Sequence, residues 1–152
     1  MYKLGTYFKS IIVPLIVGGI VGWIISGFMD YNYLEKPFLS PPSIMFPIVW
    51  TILYVLMGIS YGILKVNNLN DKTTSIIYYV QLGVNALWPF AFFVLKWRLF
   101  AFVWIIFLVF LVGTMVIQFY EKNKISGLLQ IPYLLWSLFA SYLNISIYLL
   151  NR

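Results

Sequence analysis

Charge is the scarcest property of this chain. Only 14 of its 152 residues are charged, ten Lys or Arg and four Asp or Glu, whereas hydrophobic residues make up 62%. Soluble domains carry charge on about a quarter of their residues. A soluble chain of this length would have more surface than so few charges could cover, and its apolar patches would aggregate. The composition therefore excludes an ordinary soluble domain and favours a protein whose solvent is lipid.

Cysteine and histidine are absent altogether. The chain therefore has no disulfide, no thiolate nucleophile and no thiolate metal site, and it lacks the commonest metal and haem ligand. Serine and threonine have no histidine to activate them as nucleophiles. We predict no metal and no cofactor. The four acids, Asp30, Glu35, Asp71 and Glu121, all lie near the ends of apolar stretches, which argues against acid–base or proton-coupled chemistry inside a bilayer.

The few charges divide the chain into five uncharged stretches. Each is long enough to cross a bilayer, which requires about 20 apolar residues. The stretches do not alternate polar and apolar residues as β-barrel strands do, so helices are expected. We predict one all-α domain over residues 1–152, an integral membrane bundle of five transmembrane helices with approximate spans 10–29, 41–64, 73–95, 99–120 and 126–150. The first stretch is too long for the apolar core of a signal peptide, and we predict a retained helix.

The net charge of +6 is spread over several short segments. Scattered Lys and Arg at helix ends are typical of anchoring at lipid headgroups, and no basic patch indicates nucleic acid. The lipid bilayer is therefore an expected partner and nucleic acid is not. Five spans place the termini on opposite sides, and six basic residues against four favour a cytoplasmic N-terminus.

Prolines and small residues indicate where the spans begin, bend or pack closely. The pair Pro41-Pro42 is expected to open the second helix, where a missing N–H is tolerated. Pro14, Pro89 and Pro132 are expected to kink their spans. Pairs of small residues four apart let helix backbones approach closely, either within one chain or across a dimer, and these pairs are Gly18 with Gly22 (extended by Ser26), Gly58 with Gly62, and Ser137 with Ser141.

Aromatic and amide side chains recur at helical spacing in three spans. The recurrent sets are Trp50, Tyr54, Met57 and Tyr61 in the second span, Gln81, Asn85, Trp88 and Phe92 in the third, and Trp136, Ala140 and Leu143 beside Asn144 in the fifth. An amide is costly against lipid tails, so Gln81 and Asn85 are expected to face the bundle interior. Two interpretations stay open here. In the first, the amides only join helices by hydrogen bonds; in the second, they belong to an aromatic pocket for a flat apolar ligand.

The same residues carry a resemblance to a known family. The second span region has Lys36-Pro37, Pro41-Pro42, Phe46, Trp50, Leu53-Tyr54, Met57-Gly58 and Tyr61; the first span has Gly18-Gly19 and Gly22; the third has Gln81-Leu82, Asn85, Trp88 and Phe92-Phe93; the fifth has Pro132-Tyr133, Trp136, Phe139-Ala140 and Leu143-Asn144. Together they resemble the signature of the tryptophan-rich sensory protein / translocator protein family, once called the peripheral-type benzodiazepine receptor. The match covers almost the whole chain.

The resemblance implies a five-helix bundle, commonly a homodimer, with a pocket that opens near the first loop. It implies binding of porphyrins such as protoporphyrin IX and of isoquinoline carboxamide or benzodiazepine-type ligands. Carried over by matching position, the pocket residues are Tyr31, Trp50, Tyr54, Asn85, Trp88 and Trp136, to which the helical faces add Gln81 and Ala140. Some bacterial members are linked to light-dependent porphyrin breakdown, which would make Trp50 and Trp136 photochemical residues. Without His or Cys, metal-free porphyrin suits the chain better than axially ligated haem.

The chain departs from the family pattern at the first loop. Asp30 and Leu39 stand where tryptophans are frequent, which leaves fewer aromatics over the pocket. Ile145 and Leu149 stand at the Tyr and Arg positions of the animal cholesterol motif, so cholesterol is not the expected main ligand. We predict a porphyrin-binding membrane sensor, with entry beneath residues 30–40, in a bacterial cell membrane. The alternatives are a transporter of porphyrin or another apolar metabolite, and a photo-oxidative degrading enzyme.

Overall fold

Six α-helices and short connections make up residues 2–152. The structure is a computed structural model that describes residues 2–152. The helices are α1 (Tyr2–Ile25), α2 (Met45–Val66), α3 (Lys72–Pro89), α4 (Arg98–Lys122), α5 (Lys124–Leu128) and α6 (Ile131–Asn151). Two 3₁₀ turns, Ser26–Phe28 and Tyr31–Tyr33, follow α1, and a π-helical turn, Phe90–Val94, extends α3.

The prediction of a five-span membrane bundle is confirmed. Across residues 2–152, five helical segments are long and apolar enough to cross a membrane, with α5 and α6 together forming the fifth. The segments are Lys3–Phe28, Met45–Val66, Lys72–Val94, Arg98–Lys122 and Lys124–Asn151. The chain is therefore an integral membrane protein. The first helix begins earlier than the predicted Ser10 because long Lys side chains near a helix end can extend to the headgroups without ending the helix.

The prolines act mainly at helix ends. The second helix begins at Met45, after Pro41-Pro42 rather than at them. At Pro89 the α-helix gives way to the π-turn, in which Leu95 N–H donates to Phe90 O across 2.8 Å. Pro132 lies within the fifth span, in the first turn of α6, and the helix of that span is interrupted just before it, between Leu128 and Ile131. That position costs no hydrogen bond, because first-turn N–H groups have no helical partner.

Close contact between α1 and α2 holds one end of the bundle together. A Cβ on Gly58 would collide with the backbone of Ser10 and Ile11 in α1, and a Cβ on Gly62 would lie 2.7 Å from the Tyr7 ring. This pair of glycines therefore packs helices within one chain, the first of the two roles considered for it. At the same end, the hydroxyl of Ser60 donates to Ser126 O at 2.7 Å and that of Ser126 donates back to Ser60 O at 2.8 Å.

The start of α3 is tied to the end of α4 at the same membrane surface. Asp71 caps α3 by accepting from Thr74 N–H at 2.9 Å, and the Thr74 hydroxyl accepts from Asp71 N–H in return. The Asp71 carboxylate also pairs with Lys122 Nζ at 2.7 Å. This ion pair, with the capping contacts, lowers the pKa of Asp71 from 3.8 to about 2. At the opposite end of the bundle, α1, α2, α3 and α6 enclose a cavity.

Candidate functional site

The cavity lies among α1, α2, α3 and α6. Its volume is about 460 Å³, within the range of small-molecule sites. Its walls are aromatic and aliphatic, and none of the lining residues is charged. The lining includes Gly18, Gly19, Gly22, Met29, Tyr31, Phe46, Pro47, Trp50, Thr51, Tyr54, Asn85, Trp88, Phe92, Phe93, Ala140, Leu143 and Asn144.

Six of the eight predicted site residues line this cavity: Tyr31, Trp50, Tyr54, Asn85, Trp88 and Ala140. Their placement follows from the predicted helical faces, since residues three, four and seven apart lie on one side of a helix. The other two, Gln81 and Trp136, lie outside the lining. Gln81 is 0% exposed and is held by neighbouring side chains, and Trp136 lies behind Trp50.

A chain of hydrogen bonds runs from the cavity into the bundle core. The Tyr54 hydroxyl donates to Asn85 Oδ1 at 2.8 Å, and Asn85 Nδ2 donates to the Tyr133 hydroxyl at 2.7 Å. Tyr133 then donates to Gln81 Oε1 at 2.7 Å, and Gln81 Nε2 donates to Tyr78 O at 2.8 Å. Each buried polar group thereby gains a partner, which fixes the Asn85 amide at the cavity wall.

The two interpretations of the amides therefore hold for different residues: Gln81 only joins helices, whereas Asn85 also lines the cavity. Gln81 joins helices, as it bonds to α6 and to its own helix outside the cavity. Asn85 joins helices too, but it also lines the cavity. An Asn side chain has two N–H donors, and one of them is used by Tyr133. Asn85, unlike Gln81, can thus offer a donor to a guest.

A second chain of hydrogen bonds fixes Trp88. Its Nε1–H donates to Asn144 Oδ1 at 2.9 Å, and Asn144 Nδ2 donates to Arg98 O at 2.7 Å. The Trp88 ring stacks on Phe92, with centroids 5.1 Å apart. Because its N–H is already engaged, Trp88 contributes a flat apolar ring to the wall rather than a donor.

Trp50 and Trp136 meet edge to face. Their ring centroids are 6.5 Å apart and the ring planes are nearly perpendicular, at 87°. Trp50 also contacts Tyr54, with centroids 5.9 Å apart. The Nε1–H of Trp136 is buried and has no hydrogen-bond partner among residues 2–152. Trp136 therefore contacts the wall residue Trp50 without lining the cavity itself. Its N–H is unusual because buried polar groups normally have a hydrogen-bond partner.

Sequence reasoning missed Tyr133, the centre of the hydrogen-bonded chain. Tyr133 is three residues before Trp136 and seven before Ala140, so helical periodicity would have placed it on the same face. It also missed the glycines of α1 as wall residues, together with Phe46, Phe93 and Leu143. A glycine has no side chain to show a periodic pattern, and only the path of α1 brings its backbone to the cavity.

The first loop, residues 29–44, closes one end of the cavity. The buried Tyr31 hydroxyl donates to Pro41 O at 2.6 Å, and Lys36 Nζ donates to Tyr31 O at 3.1 Å. Burial raises the pKa of the Tyr31 phenol above its ordinary value of 10.0. Further along the loop, Asn151 of α6 bonds to both the N–H and the C=O of Glu35, at 3.0 and 2.9 Å.

Asp30 has a specific partner that the sequence did not reveal. Its two carboxylate oxygens accept from Arg98 Nη2 at 2.8 and 2.7 Å, so the loop is bound to the start of α4. Arg98 lies over the Phe92 ring at 5.0 Å. A charged contact thus takes the place of the aromatic expected from the family pattern. Leu39, the other departure, has a positive φ of 71°, a conformation unusual for a residue with a side chain.

Comparison with known proteins agrees with the predicted family. Residues 10–150 match the model of the TspO/MBR family. The chain is 44% identical to a tryptophan-rich protein TspO of Archaeoglobus fulgidus, over 80% of this chain and 79% of that protein. It is 34% identical to protein CrtK of Rhodobacter capsulatus, over 96% and 93%, and 31% identical to the translocator protein of Ovis aries, over 78% and 72%. The chain therefore belongs to the TspO/MBR family.

Proposed function

We propose that the cavity binds a flat, apolar, polycyclic molecule, and that the protein is a membrane sensor for such ligands. The ligand classes are porphyrins, with protoporphyrin IX as the test case, and isoquinoline carboxamide or benzodiazepine-type compounds. The observation that carries the proposal is the uncharged cavity of about 460 Å³ with Trp50, Tyr54 and Trp88 in its walls and two amides, Asn85 and Asn144, among them. Family membership supports the role of a membrane sensor or translocator.

The chemistry of the wall suits this guest. Indole and phenol rings offer broad faces for stacking, and Asn85 supplies one directional contact. With no charged group in the wall, a charged part of a ligand would remain at the mouth of the cavity, because burying an unpaired charge in an apolar site is costly.

A titration with protoporphyrin IX in lipid nanodiscs tests the proposal. Trp50→Ala removes a wall and should weaken binding at least about tenfold, which corresponds to about 1.4 kcal/mol. Trp23→Ala is the matched control, because Trp23 is 79% exposed on α1 and does not line the cavity. Equal affinities for the two variants and the unaltered protein would refute the proposed site.

Light-dependent degradation of bound porphyrin is a second candidate function. It is favoured by the contact between Trp50, which lines the cavity, and Trp136, whose indole is 6.5 Å away. Two indoles in contact offer a short route for an electron to reach a photoexcited guest. Illumination of the complex should change the porphyrin absorption spectrum, and Trp50→Phe with Trp136→Phe should abolish that change while the porphyrin stays bound. A product that forms equally with the double variant would indicate free photochemistry.

Transport of the same ligand is the remaining alternative. It would require movement of ligand across sealed proteoliposomes, and no charged residue lines the cavity to couple such movement to an ion. Release from only the membrane leaflet into which the cavity opens would favour sensing, and passage to the other side would favour transport.

A further inference from the structure

The first loop, residues 29–44, is bound to the rest of the protein at several separate points, which does not favour it as the entrance to the cavity. The loop is joined to α4 through Asp30 and Arg98, to α6 through Glu35 and Asn151, and to itself through Tyr31 and Pro41. The Tyr142 hydroxyl of α6 adds a bond to Phe38 O at 2.7 Å. Entry beneath the loop would have to break several of these contacts together.

The line along which α1 and α2 meet, here called the seam, is exposed where it borders the cavity. The exposed residues in the cavity lining are Gly19, Gly22 and Met29, on or just after α1, and Pro47 and Thr51 on α2. The lining residues contributed by α3 and α6 are buried or half-buried. The cavity therefore reaches the outside of the bundle along this seam.

The seam is open because of how α1 and α2 pack. Where Gly58 and Gly62 contact α1, no space is left for a Cβ. Nearer the loop, a Cβ on Gly18 would still collide with the Tyr54 ring, whereas a Cβ on Gly19 or Gly22 would meet no atom within 4 Å. On the α1 side, the opening is thus bordered at Gly19 and Gly22 by residues without side chains.

The opening faces hydrocarbon rather than water. At 1.5 Å per residue, Gly19 lies about 13 Å below the end of its span at Phe28, and Thr51 about 9 Å below the start of its span at Met45. Both depths fall within a hydrocarbon layer of about 30 Å. The Thr51 hydroxyl donates to Pro47 O at 2.6 Å, so it does not present a free donor to lipid.

We propose that Gly19, Gly22, Pro47 and Thr51 form a lateral portal through which an apolar ligand dissolved in the bilayer enters the cavity. The identity of the ligand rests on the proposed function, whereas the portal rests on the geometry of the seam. The portal makes membrane partitioning part of selectivity: a ligand must first concentrate in the hydrocarbon layer. Such a site samples the ligand content of the membrane rather than that of the aqueous phase.

Binding kinetics test the portal. Gly19→Leu with Gly22→Leu places two side chains across the opening, and it should slow association and dissociation of an isoquinoline carboxamide probe together by about tenfold or more. Gly83→Leu is the matched control, because Gly83 is also exposed on a membrane-spanning helix with nothing within 4 Å of a Cβ, but lies outside the cavity. Rates unchanged in the portal variant would overturn the proposal. All three substitutions remove helical glycines, so folding should be retained, and thermal unfolding checks this.

A loop variant tests the competing route. Asp30→Asn weakens the bond between the loop and Arg98, and Asp30 does not line the cavity. Lateral entry predicts the same association rate as in the unaltered protein, whereas entry beneath the loop predicts faster association. Acceleration by Asp30→Asn together with insensitivity to the portal variant would reassign the route to the loop.

An experiment without ligand separates failure of the portal from failure of the proposed function. A phospholipid with a photoreactive diazirine in its acyl chain should label Thr51 and the buried cavity residue Ala140 in nanodiscs, because an open seam admits acyl chains. Labelling of Ala140 should disappear in the portal variant and persist in Gly83→Leu. Absence of Ala140 adducts in the unaltered protein would overturn the portal even if the ligand binds, and their presence would support it even if no proposed ligand does.

Discussion

The Tyr54 hydroxyl donates to Asn85 Oδ1 across 2.8 Å and so joins α2 to α3 at the wall of the cavity. Both side chains are buried. This bond sets the orientation of the Asn85 amide, because an oxygen that accepts from Tyr54 directs the Nδ2 group toward Tyr133. The polar edge of the cavity is therefore set by a tyrosine whose ring is also part of the wall.

Tyr54→Phe should keep the aromatic wall and remove only this donor. The cost is expected to be about 1 kcal/mol of stability, since Asn85 Oδ1 loses its partner in a water-poor interior. Reversible unfolding in mixed micelles measures it. Tyr33→Phe, at a side chain that is 90% exposed, is the control and should change nothing. A loss for Tyr54→Phe no greater than for the control would mean that the bond contributes no net stability.

Gly58→Ala should destabilise the bundle far more than its single methyl group suggests. The new Cβ would collide with the backbone of Ser10 and Ile11, and backbone cannot rotate away as a side chain can. Overpacking of this kind costs about 1–3 kcal/mol. Gly83→Ala is the control: its Cβ meets no atom within 4 Å, and Ala is a better helix former, so its stability should be equal or higher. A Gly58→Ala variant as stable as Gly83→Ala would show that α1 does not pack there as described.

The membrane fold could be predicted because it follows from the composition of the chain. The chain has few charges, and these divide it into apolar stretches that are long enough to cross a bilayer. Such stretches form helices, because helices satisfy every backbone hydrogen bond in lipid. Helical periodicity then placed Trp50, Tyr54, Asn85 and Trp88 on interior faces, where they line the cavity. The predictions of a homodimer and of a bacterial cell membrane remain predictions.

The details that failed depend on contacts between helices. Trp136 shares a face with Ala140, yet only Ala140 lines the cavity, because Trp50 of another helix lies in front of the larger ring. Gly18 and Gly22 form one G-x-x-x-G pair, yet a Cβ on Gly18 would collide with the Tyr54 ring whereas a Cβ on Gly22 would meet no atom within 4 Å. A pattern within one helix shows which residues are small, but the separation of two helices decides whether that space is filled.

Low pH should weaken the tie between α3 and α4. The pKa of Asp71 is lowered to about 2 in the folded protein because of its contacts with Lys122 and Thr74, whereas its ordinary value is 3.8. A lowered pKa contributes stability above 3.8, and this contribution disappears as pH falls from 3.8 to about 2. Asp71→Asn keeps a capping oxygen for Thr74 but removes the charge, so the difference from the unaltered protein should vanish at low pH. High salt should also reduce that difference, because the pair is exposed.

Thermal unfolding as a function of pH measures this effect. Glu121→Gln removes a charge of the same sign beside Lys122 without removing the Asp71 ion pair, and it serves as the control. A pH-independent difference between Asp71→Asn and the unaltered protein would show that the capping contacts, rather than the charge, stabilise this end of α3.

Gln81→Leu should separate the core hydrogen bonds from ligand binding. Gln81 is 0% exposed and accepts from Tyr133, so the substitution leaves a buried hydroxyl without its acceptor at a cost of about 1–3 kcal/mol. Because Gln81 lies outside the cavity lining, the protoporphyrin affinity of the variant should change by less than about threefold under conditions in which the variant is fully folded. Asn85→Leu is the comparison: it should cost similar stability but also weaken binding, since Asn85 lines the cavity and bonds to Tyr54. Equal loss of affinity in both variants would mean that the whole hydrogen-bonded chain, and not Asn85 alone, shapes the site, and would return Gln81 to the group of binding residues that the sequence predicted.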